Sequence, residues 1–470
     1  MCDELTNNTS LRFDRGTLVV RGVDETAARA IEDWPCVWDP RVGAWRCEAI
    51  LLVRVIASLR SAFGGRWSNE IAFPKLDQPL AVNLPALRPD QTEAVDSWER
   101  AAHRGQVIMP TGTGKTIVAL AAMARTRVST LVVAPVRDLM YQWHRRILSD
   151  LGYDAGIIGD SHCVVRPISV TTYDSAYIHM AQLGNRFELV IFDEEHHLPA
   201  RSLRESAILS AAPMRLGLTA TPIRADGRHV ELDQLIGPVS FELPFDEARR
   251  DRLADFDVVR IPVALSDNEQ SVFDRCSRAI VDYIRERRSD RPQYRWEDVC
   301  KDAAVDARAR HVMQAFFAKR SIEDRAEEKL RILEDLFRLH IGSPTIVFAG
   351  SNAMAIDISE RFLIPTILAH SPKGERQAVL EGFASGEFPA VVANQVLDEG
   401  VDMPDAKVAV VLGGHGSTRQ SLQRLGRVLR KVGDNRAVLY DVVSETSGDI
   451  ERSRARRRND AYRRTRHRHI

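Results

Sequence analysis

A glycine-rich segment that could bind phosphate follows a short apolar run. It reads Pro110-Thr111-Gly112-Thr113-Gly114-Lys115-Thr116, between a strand predicted over Val107–Met109 and a helix predicted over Ile117–Ala124. The two glycines let the backbone curl so that successive N–H groups point at phosphate oxygens, and the helix N-terminus adds partial positive charge. Lys115 can reach the β- and γ-phosphates of a nucleotide, and the Thr116 hydroxyl can ligate Mg²⁺. The alternative is a plain glycine-containing turn, which the strand–loop–helix context disfavours.

A second chemical signal is acidic. The apolar run Leu189–Phe192 predicts a buried strand, and Asp193-Glu194-Glu195-His196 follows at its carboxyl end. A carboxylate at this position can hold Mg²⁺, and its neighbour can polarise an attacking water. We assign the metal to Asp193 and the general base to Glu194. An acidic turn is common after a strand, so the assignment depends on the phosphate loop being present as well.

A third signal is a basic helical stripe. On a predicted helix, Gln423, Arg427 and Arg430 fall at i, i+4 and i+7, and the leucines between them form the packing side. Two arginines at the end of such a stripe could stabilise the charge that develops on a γ-phosphate. A solvated basic helix face is the alternative. The stripe lies in a second α/β block, so the sequence predicts a hydrolysis site completed from two sheets.

Two blocks of near-continuous apolar runs predict the sheets that position these residues. Such runs are typical of parallel strands buried on both faces. The first block is Val107–Met109, Leu131–Ala134, Ile168–Thr172, Leu189–Phe192 and Leu216–Thr219. The second is Thr345–Phe348, Thr366–Ala369, Ala390–Ala393, Val408–Leu412 and Val438–Val442. The fold class is therefore α/β with two parallel sheets, each carrying function at the carboxyl ends of its strands.

Segments of different character flank these blocks. Residues 1–73 predict a small α+β domain with a tryptophan cluster that is more typical of a core than of a base-stacking platform. Prolines at positions 74, 79, 85 and 89 mark a linker, which we place over 74–86, and the first α/β domain runs from 87 to 244. Residues 245–330 are charged and helical in pattern without a clear sheet, and the second α/β domain spans 331–450. Residues 451–470 carry nine arginines and predict a flexible basic tail able to touch DNA.

Composition excludes several classes of protein. Lys plus Arg and Asp plus Glu both number 65, so net charge neither requires nor excludes a nucleic-acid partner. The six cysteines are scattered and predict neither a zinc site nor an iron–sulfur cluster. No apolar run reaches the length of a membrane span, and the polar start is no signal peptide. We expect a cytoplasmic protein with reduced thiols and no membrane partner.

Further motifs stand in a fixed order around these three signals. They are Leu87-Arg88-Pro89-Asp90-Gln91, Ala134-Pro135-Val136-Arg137, Thr171-Thr172-Tyr173-Asp174-Ser175-Ala176-Tyr177, Leu218-Thr219-Ala220-Thr221 and Val396-Leu397-Asp398-Glu399-Gly400-Val401-Asp402-Met403-Pro404. With the phosphate loop, the acidic turn and the basic stripe, the series resembles superfamily two helicases, and within them the XPB family, especially its archaeal-type members. The resemblance runs from about residue 87 to 445.

That resemblance implies two tandem RecA-like domains that hydrolyse Mg·ATP while gripping a DNA backbone. Its nucleotide-binding residues correspond to Arg88, Gln91, Thr111, Gly112, Thr113, Gly114, Lys115, Thr116, Gly400 and Asp402. Its residues for DNA contact or coupling correspond to Arg137, Thr171, Thr172, His196, Thr219, Thr221, Arg224 and Asp226. Hydroxyls and arginines at strand ends suit phosphate contacts, which position a strand without reading its sequence. For Thr172, a hydroxyl satisfied locally is an equal alternative.

Departures from the family pattern leave alternatives open. A family R-E-D element associated with strand separation reads Arg224-Ala225-Asp226 here, which puts strong unwinding in doubt. Residues 245–325 have the place of the family's thumb, and residues 1–73 that of its damage-sensing domain. A partner nuclease is possible by resemblance, although the Glu327-Glu328-Lys329 triplet predicts no nuclease within this chain.

The sequence therefore predicts an ATP-dependent DNA helicase of XPB type that moves 3′ to 5′ in DNA repair. Its substrate would be duplex, forked or damaged DNA. The alternatives are a double-stranded DNA translocase that does not separate strands, and a DNA-binding scaffold that recruits a nuclease.

Overall fold

A computed structural model describes residues 9–110, 112–220, 226–244, 256–368, 371–394, 406–413, 437–446, 448–451 and 467–469. The chain divides into two compact units, one over residues 1–244 and the other over most of 245–470. Within the described ranges, no helix is long and apolar enough to cross a membrane.

The first unit begins with a small α+β domain. Its sheet has the order β3-β4-β2-β1-β5 and is covered by α1 and α2. A two-residue turn joins β1 to β2 with Arg15 and Gly16 at positive φ, the geometry that a tight hairpin requires. The elements are β1 (Ser10–Asp14), β2 (Thr17–Arg21), α1 (Glu25–Ala30), β3 (Val37–Asp39), β4 (Ala44–Glu48), α2 (Leu52–Phe63) and β5 (Ser68–Asn69).

This small domain packs directly on the α/β part of the same unit. A Cβ on Gly16 would come within 2.5 Å of Leu209 Cδ2, and Ala211 belongs to the small domain's own core. The following segment is also held, because the Tyr153 hydroxyl donates to Asp77 Oδ1 at 2.7 Å and the Asn83 N–H donates to the Asp150 carbonyl at 2.8 Å. The segment predicted as a linker over 74–86 is therefore bonded to the domain that follows it.

The first α/β sheet has eight strands in the order β13-β6-β12-β11-β7-β10-β8-β9. All neighbours are parallel except the β8–β9 pair. Its strands are β6 (Arg104–Ile108), β7 (Thr130–Ala134), β8 (Gly156–Gly159), β9 (His162–Cys163), β10 (Ile168–Thr172), β11 (Leu189–Asp193), β12 (Met214–Thr219) and β13 (Val239–Glu242). Its helices are α3 (Pro89–Arg100), α4 (Lys115–Thr126), α5 (Arg137–Leu151), α6 (Tyr173–Leu183), α7 (Glu205–Ile208) and α8 (Leu232–Leu235).

The predicted strands of this sheet are confirmed, with β6 and β12 starting earlier than the apolar runs indicated. Polar residues at those starts are buried but satisfied. Gln106 donates to Asp233 Oδ1 at 2.8 Å, and Arg215 donates to four backbone carbonyls, those of Ala207, Ser210, Ala212 and Leu235. Because these partners come from distant segments, local hydropathy does not reveal that the starts are buried.

The second α/β sheet has seven parallel strands in the order β16-β17-β15-β18-β19-β14-β20. The strands are β14 (Phe256–Val263), β15 (Thr345–Phe348), β16 (Thr366–Ile367), β17 (Ala390–Ala393), β18 (Val408–Val411), β19 (Ala437–Ser444) and β20 (His467–His469). The prediction of two parallel sheets is thus confirmed.

Two predictions near this sheet are wrong. Residues 245–335 were expected to contain no clear sheet, yet β14 pairs with β19 along eight residues. Asp257 and Arg260 interrupt its apolar run, which hides the strand from a search for continuous apolar residues. The tail was expected to be flexible, yet its residues 467–469 form β20 and pair with β14.

Helices fill the rest of the segment between the two sheets. α9, α10 and α11 share a small core of Tyr283, Tyr294, Val299 and Val312, whereas α12 and α13 pack on the second sheet. Helix α12 therefore crosses the boundary that the sequence predicted at residue 330. The bounds are α9 (Asp267–Asp290), α10 (Trp296–Asp302), α11 (Ala307–Asp324), α12 (Glu327–Leu339), α13 (Asn352–Phe362) and α14 (Lys373–Ser385).

A buried ion pair joins α12 to the end of the second sheet. Lys329 Nζ lies 2.7 Å from Asp449 Oδ2 and also donates to the Leu412 carbonyl, and both charged side chains are almost fully buried. Asp449 accepts in addition from the Ser444 N–H. The lysine of the E-x-K triplet therefore has a structural partner.

We expect Lys329→Met to destabilise the second unit by about 3–5 kcal/mol, because removing one partner leaves a buried carboxylate uncompensated. Urea denaturation followed by circular dichroism measures the change. Arg331→Met is the matched control, since its ion pair with Glu327 is exposed and exposed pairs contribute less than about 1 kcal/mol. Equal stability of the two variants would contradict the assignment.

Candidate nucleotide-binding site

The glycine-rich loop connects β6 to α4 as the sequence predicted. Gly112 and Gly114 both have φ of 84°, in the left-handed region that favours glycine, and Gly114 precedes the first residue of the helix. A Cβ on Gly114 would collide with the side-chain amide of Gln91. The helix begins at Lys115, two residues before the predicted start, so its first N–H groups face the loop. Thr116 lies half-buried in the same first turn.

Two residues of α3 hold this loop from behind. The Gln91 amide donates to the Thr113 carbonyl at 3.1 Å, and the Arg88 guanidinium donates to the same oxygen. Gln91 Oε1 in turn accepts from the Arg88 N–H at 3.1 Å. Both residues were predicted to bind nucleotide; in this structure they bind the loop backbone, and Gln91 is buried.

The side chain of Lys115 points back toward the start of the phosphate loop. Its Nζ donates to the Met109 carbonyl at 3.2 Å, while the Met109 N–H donates to the Thr219 carbonyl at 2.9 Å. Met109 occupies the place of the first glycine in the general phosphate-loop pattern and is fully buried. The phosphate loop and the end of β12 are thus joined through one residue.

Asp193 lies buried at the end of β11 and is held from two helices. The Trp143 indole N–H donates to Asp193 Oδ2 at 2.8 Å, and the Tyr173 hydroxyl donates to its carbonyl at 3.1 Å. The other carboxylate oxygen accepts from the Glu194 N–H at 3.1 Å. Burial, followed by the negative charge of Glu194, raises the pKa of Asp193 above its usual value.

Glu194 directly follows β11 and adopts a left-handed conformation, with φ of 49°. Burial alone would raise the pKa of Glu194, but the charge of Lys115 and the neighbouring His196 outweigh it and lower this pKa. Glu194 Oε2 is buried and lies 3.4 Å from His196 Nδ1.

His196 connects the acidic turn to the next strand. Its Nδ1 lies 3.1 Å from the Thr219 hydroxyl at the end of β12, and both side chains are fully buried. The structure therefore brings together these two predicted coupling residues. Asp226 accepts from the Arg228 N–H at 3.2 Å in an exposed turn.

Predicted DNA contacts lie at the carboxyl ends of β7 and β10. Arg137 begins α5 with an exposed side chain that pairs with Asp160 at 2.7 Å. Thr171 is buried and donates to the Ile158 carbonyl at 2.7 Å, so its hydroxyl packs within the sheet and does not face solvent. Thr172 caps α6 by accepting from the Ser175 N–H, which is the local alternative for this residue.

Eight of the predicted site residues lie outside the part of the chain that the structure describes. They are Thr111, Thr221, Arg224, Gly400, Asp402, Gln423, Arg427 and Arg430. The residues that sequence reasoning missed are Trp143 and Tyr173 as supports of Asp193. A tryptophan six residues into the helix after Arg137 was visible, and a buried indole needs an acceptor, but nothing local identifies that acceptor.

If Asp193 holds Mg²⁺ as the sequence predicts, Trp143→Phe should lower Mg²⁺-dependent ATP turnover by about 10–100-fold, because the indole would orient a metal ligand. A titration of turnover against Mg²⁺ concentration measures the change. Trp98→Phe is the matched control, because it also removes a buried indole hydrogen bond, here to the Arg215 carbonyl at 2.8 Å. An equal loss in both variants would show that only stability is affected.

Comparison with known proteins places the chain among helicases. Residues 84–224 match the family described as type III restriction enzyme, res subunit, and residues 328–432 match the helicase conserved C-terminal domain. Residues 11–62 match the xeroderma pigmentosum group B helicase damage recognition domain. The Hef helicase domain of Pyrococcus furiosus is similar in fold, with a TM-score of 0.53, 16% identity and coverage of 78% of this chain and 98% of that one.

Relatives share sequence over most of the chain. The DNA 3'-5' translocase XPB2 of Sulfurisphaera tokodaii is 39% identical over 83% of this chain and 88% of its own length. The DNA 3'-5' helicase XPB of Kineococcus radiotolerans is 32% identical over 81% of this chain, which spans 63% of that relative. The chain therefore belongs to the XPB family of superfamily two helicases.

Proposed function

We propose that this protein hydrolyses ATP to move 3′ to 5′ along DNA and open it, in DNA repair. One observation carries the proposal: the strand order of the first sheet brings Lys115 close enough to Asp193 and Glu194 for its charge to stabilise both carboxylates. The names of the two relatives above, a 3'-5' translocase and a 3'-5' helicase, supply the direction and the nucleic acid.

The residues present fit Mg·ATP. The Gly112–Gly114 turn and the first N–H groups of α4 would hold the phosphates with Lys115, and Thr116 with Asp193 would hold the metal. Bound Mg²⁺ would neutralise charge on the phosphates during transfer. Glu194 would orient the attacking water and accept its proton, and Trp143 keeps Asp193 in place. The contact between His196 and Thr219 would couple the acidic turn to the end of β12.

The second α/β domain would complete the site. Arg427 and Arg430, with Gln423 on the same helical stripe, would stabilise the developing charge, while Gly400 and Asp402 would contact the nucleotide. These roles are inferred from the sequence and from the match of residues 328–432 to the helicase C-terminal domain. Arg137, Thr172, Thr221, Arg224 and Asp226 are proposed to act on DNA or in coupling.

A double-stranded DNA translocase that does not separate strands is the second candidate. Ala225 replaces the glutamate of the family's R-E-D element, and the relative with 39% identity is named a translocase. A scaffold that recruits a nuclease is less favoured, since Lys115, Glu194, Arg427 and Arg430 are all present in the sequence. A subunit named for general transcription and DNA repair factor IIH is among the relatives, at 25% identity, so assembly with other proteins fits the family.

We expect Glu194→Gln to lower DNA-stimulated ATP turnover by at least about a hundredfold, because the amide cannot accept the proton of the attacking water. Lys115→Ala should cause a similar loss and also weaken nucleotide binding. Phosphate release with and without DNA measures turnover, and a fluorescent ATP analogue measures binding. The matched control is Glu188→Gln, because Glu188 directly precedes β11, at the end of the strand opposite to Asp193. Full turnover in the Glu194 variant would overturn the assignment.

Unwinding and translocation are separated by two DNA substrates. If the chain is a translocase only, it should displace a triplex-forming strand from duplex DNA but leave a forked duplex intact. Ala225→Glu should then raise unwinding of the fork, with ATP turnover unchanged. Efficient fork unwinding by the wild-type protein would instead favour the helicase, and would show that a glutamate at this position is dispensable.

A further inference from the structure

Two cysteines of the small N-terminal domain lie opposite each other. Cys36 directly precedes β3 and Cys47 lies in β4, and their Sγ atoms are 3.2 Å apart. Strands β3 and β4 are antiparallel with Val37 opposite Arg46, so the same register places Cys36 opposite Cys47. Residues opposite each other in such a pair have Cα atoms about 4.5–5.5 Å apart. That spacing falls within the range of about 4.4–6.8 Å that a disulfide requires.

The two thiols are chemically unequal. Cys36 is 6% exposed and donates its S–H to the Cys47 sulfur, whereas Cys47 is only partly buried. The hydrogen bond to Cys47, followed by burial, raises the pKa of Cys36 far above its ordinary value. Cys47 is also the sulfur that an external reagent can reach, since it is the less buried of the two. Cys47 is therefore the attacking thiol, and Cys36 the one that closes the bond afterwards.

We propose that Cys36 and Cys47 form a redox-active dithiol that a small-molecule disulfide converts into an intramolecular disulfide. In the first step the Cys47 thiolate attacks one sulfur of the small disulfide, forming a mixed disulfide and releasing one thiolate. In the second step Cys36 loses its proton and attacks Cys47 Sγ, expelling the other half as a thiolate. The protein loses two electrons and two protons, and the small disulfide is reduced to two thiols.

Closing the bond would need only a small motion. The sulfur atoms must approach by about 1.2 Å to reach the S–S bond length of about 2.05 Å, which rotation of the two side chains can supply. Cys36 is shielded from solvent but adjacent to Cys47. A mixed disulfide on Cys47 is therefore attacked by Cys36 before a second external thiol can reach it. The geometry therefore favours the intramolecular product over a lasting adduct.

The bond would tie down an exposed edge of the domain. β3 is a three-residue edge strand whose Val37 and Trp38 are largely exposed. The Trp38 ring packs on Trp45 with centroids 5.5 Å apart, and Trp45 also packs against Trp34. Trp34 and Trp38 flank Cys36 in the chain, so a cross-link from Cys36 to β4 would restrict the movement of both rings relative to Trp45. Oxidation therefore sets how freely this aromatic edge can move.

The test uses the full chain with Cys2, Cys163, Cys276 and Cys300 replaced by serine. The protein is equilibrated with mixtures of reduced and oxidised glutathione, blocked with N-ethylmaleimide and analysed by intact mass and peptide mapping. We expect both remaining thiols to become protected together, with no retained glutathione, and the change to reverse with dithiothreitol. Cys36→Ser should accumulate a mixed disulfide on Cys47, whereas Cys47→Ser should react slowly or not at all.

Amide hydrogen exchange distinguishes disulfide formation from simple thiol accessibility, because an accessible but unpaired thiol would not change the exchange rates. In the oxidised protein the amides of Val37 and Trp38 should exchange about tenfold or more slowly, since closing a short loop suppresses local opening of the edge strand. The proposal is overturned if both thiols remain alkylatable in oxidised glutathione, if Cys36→Ser behaves like the parent, or if exchange at β3 is unchanged by oxidation. Because none of these readouts involves ATP, their failure leaves the proposed motor function untouched.

Discussion

The charge of Lys115 is the interaction on which the rest of the site depends. The Asp193 carboxyl is buried at the end of β11 and the adjacent Glu194 side chain is only 13% exposed, and isolated buried charges are strongly disfavoured. The ammonium at the start of α4 reduces that cost for Asp193 and outweighs it, together with His196, for Glu194. It can do so because β12 alone separates β6 from β11, so parallel strands deliver the lysine and the carboxylates to the same edge. Strand order, more than any single contact, creates the site.

The phosphate loop is also a junction of hydrogen bonds. One carbonyl, that of Thr113, receives donors from Arg88 and Gln91, and Met109 connects Lys115 to Thr219. Thr219 in turn meets His196 beside the acidic turn. A change in the loop therefore has short paths to α3 and to the end of β12. This connectivity is a physical basis for relating nucleotide state to the surfaces that would meet DNA.

Local chemistry explains which features could be predicted from the sequence. The loop glycines and Asp193 could be identified from the sequence because the residues next to them in the chain, an apolar strand and the rest of the motif, are enough to indicate their role. Arg215 and Trp143 could not be assigned, since their partners are selected by packing between distant segments. β14 was missed because polar residues interrupt it and pairing with β19 stabilises it. The spacing of Cys36 and Cys47 likewise says nothing until the hairpin register is known.

The seating of the small N-terminal domain has a mechanical consequence. Gly16 fits against Leu209, Ala211 enters the small domain's core, and the connecting segment is bonded to Tyr153 and Asp150. The small domain is therefore packed firmly against the α/β domain that carries Lys115, and is not attached to it only by a linker. A ligand held at the outer edge of this domain would therefore keep a fixed position relative to the sheet that carries Lys115.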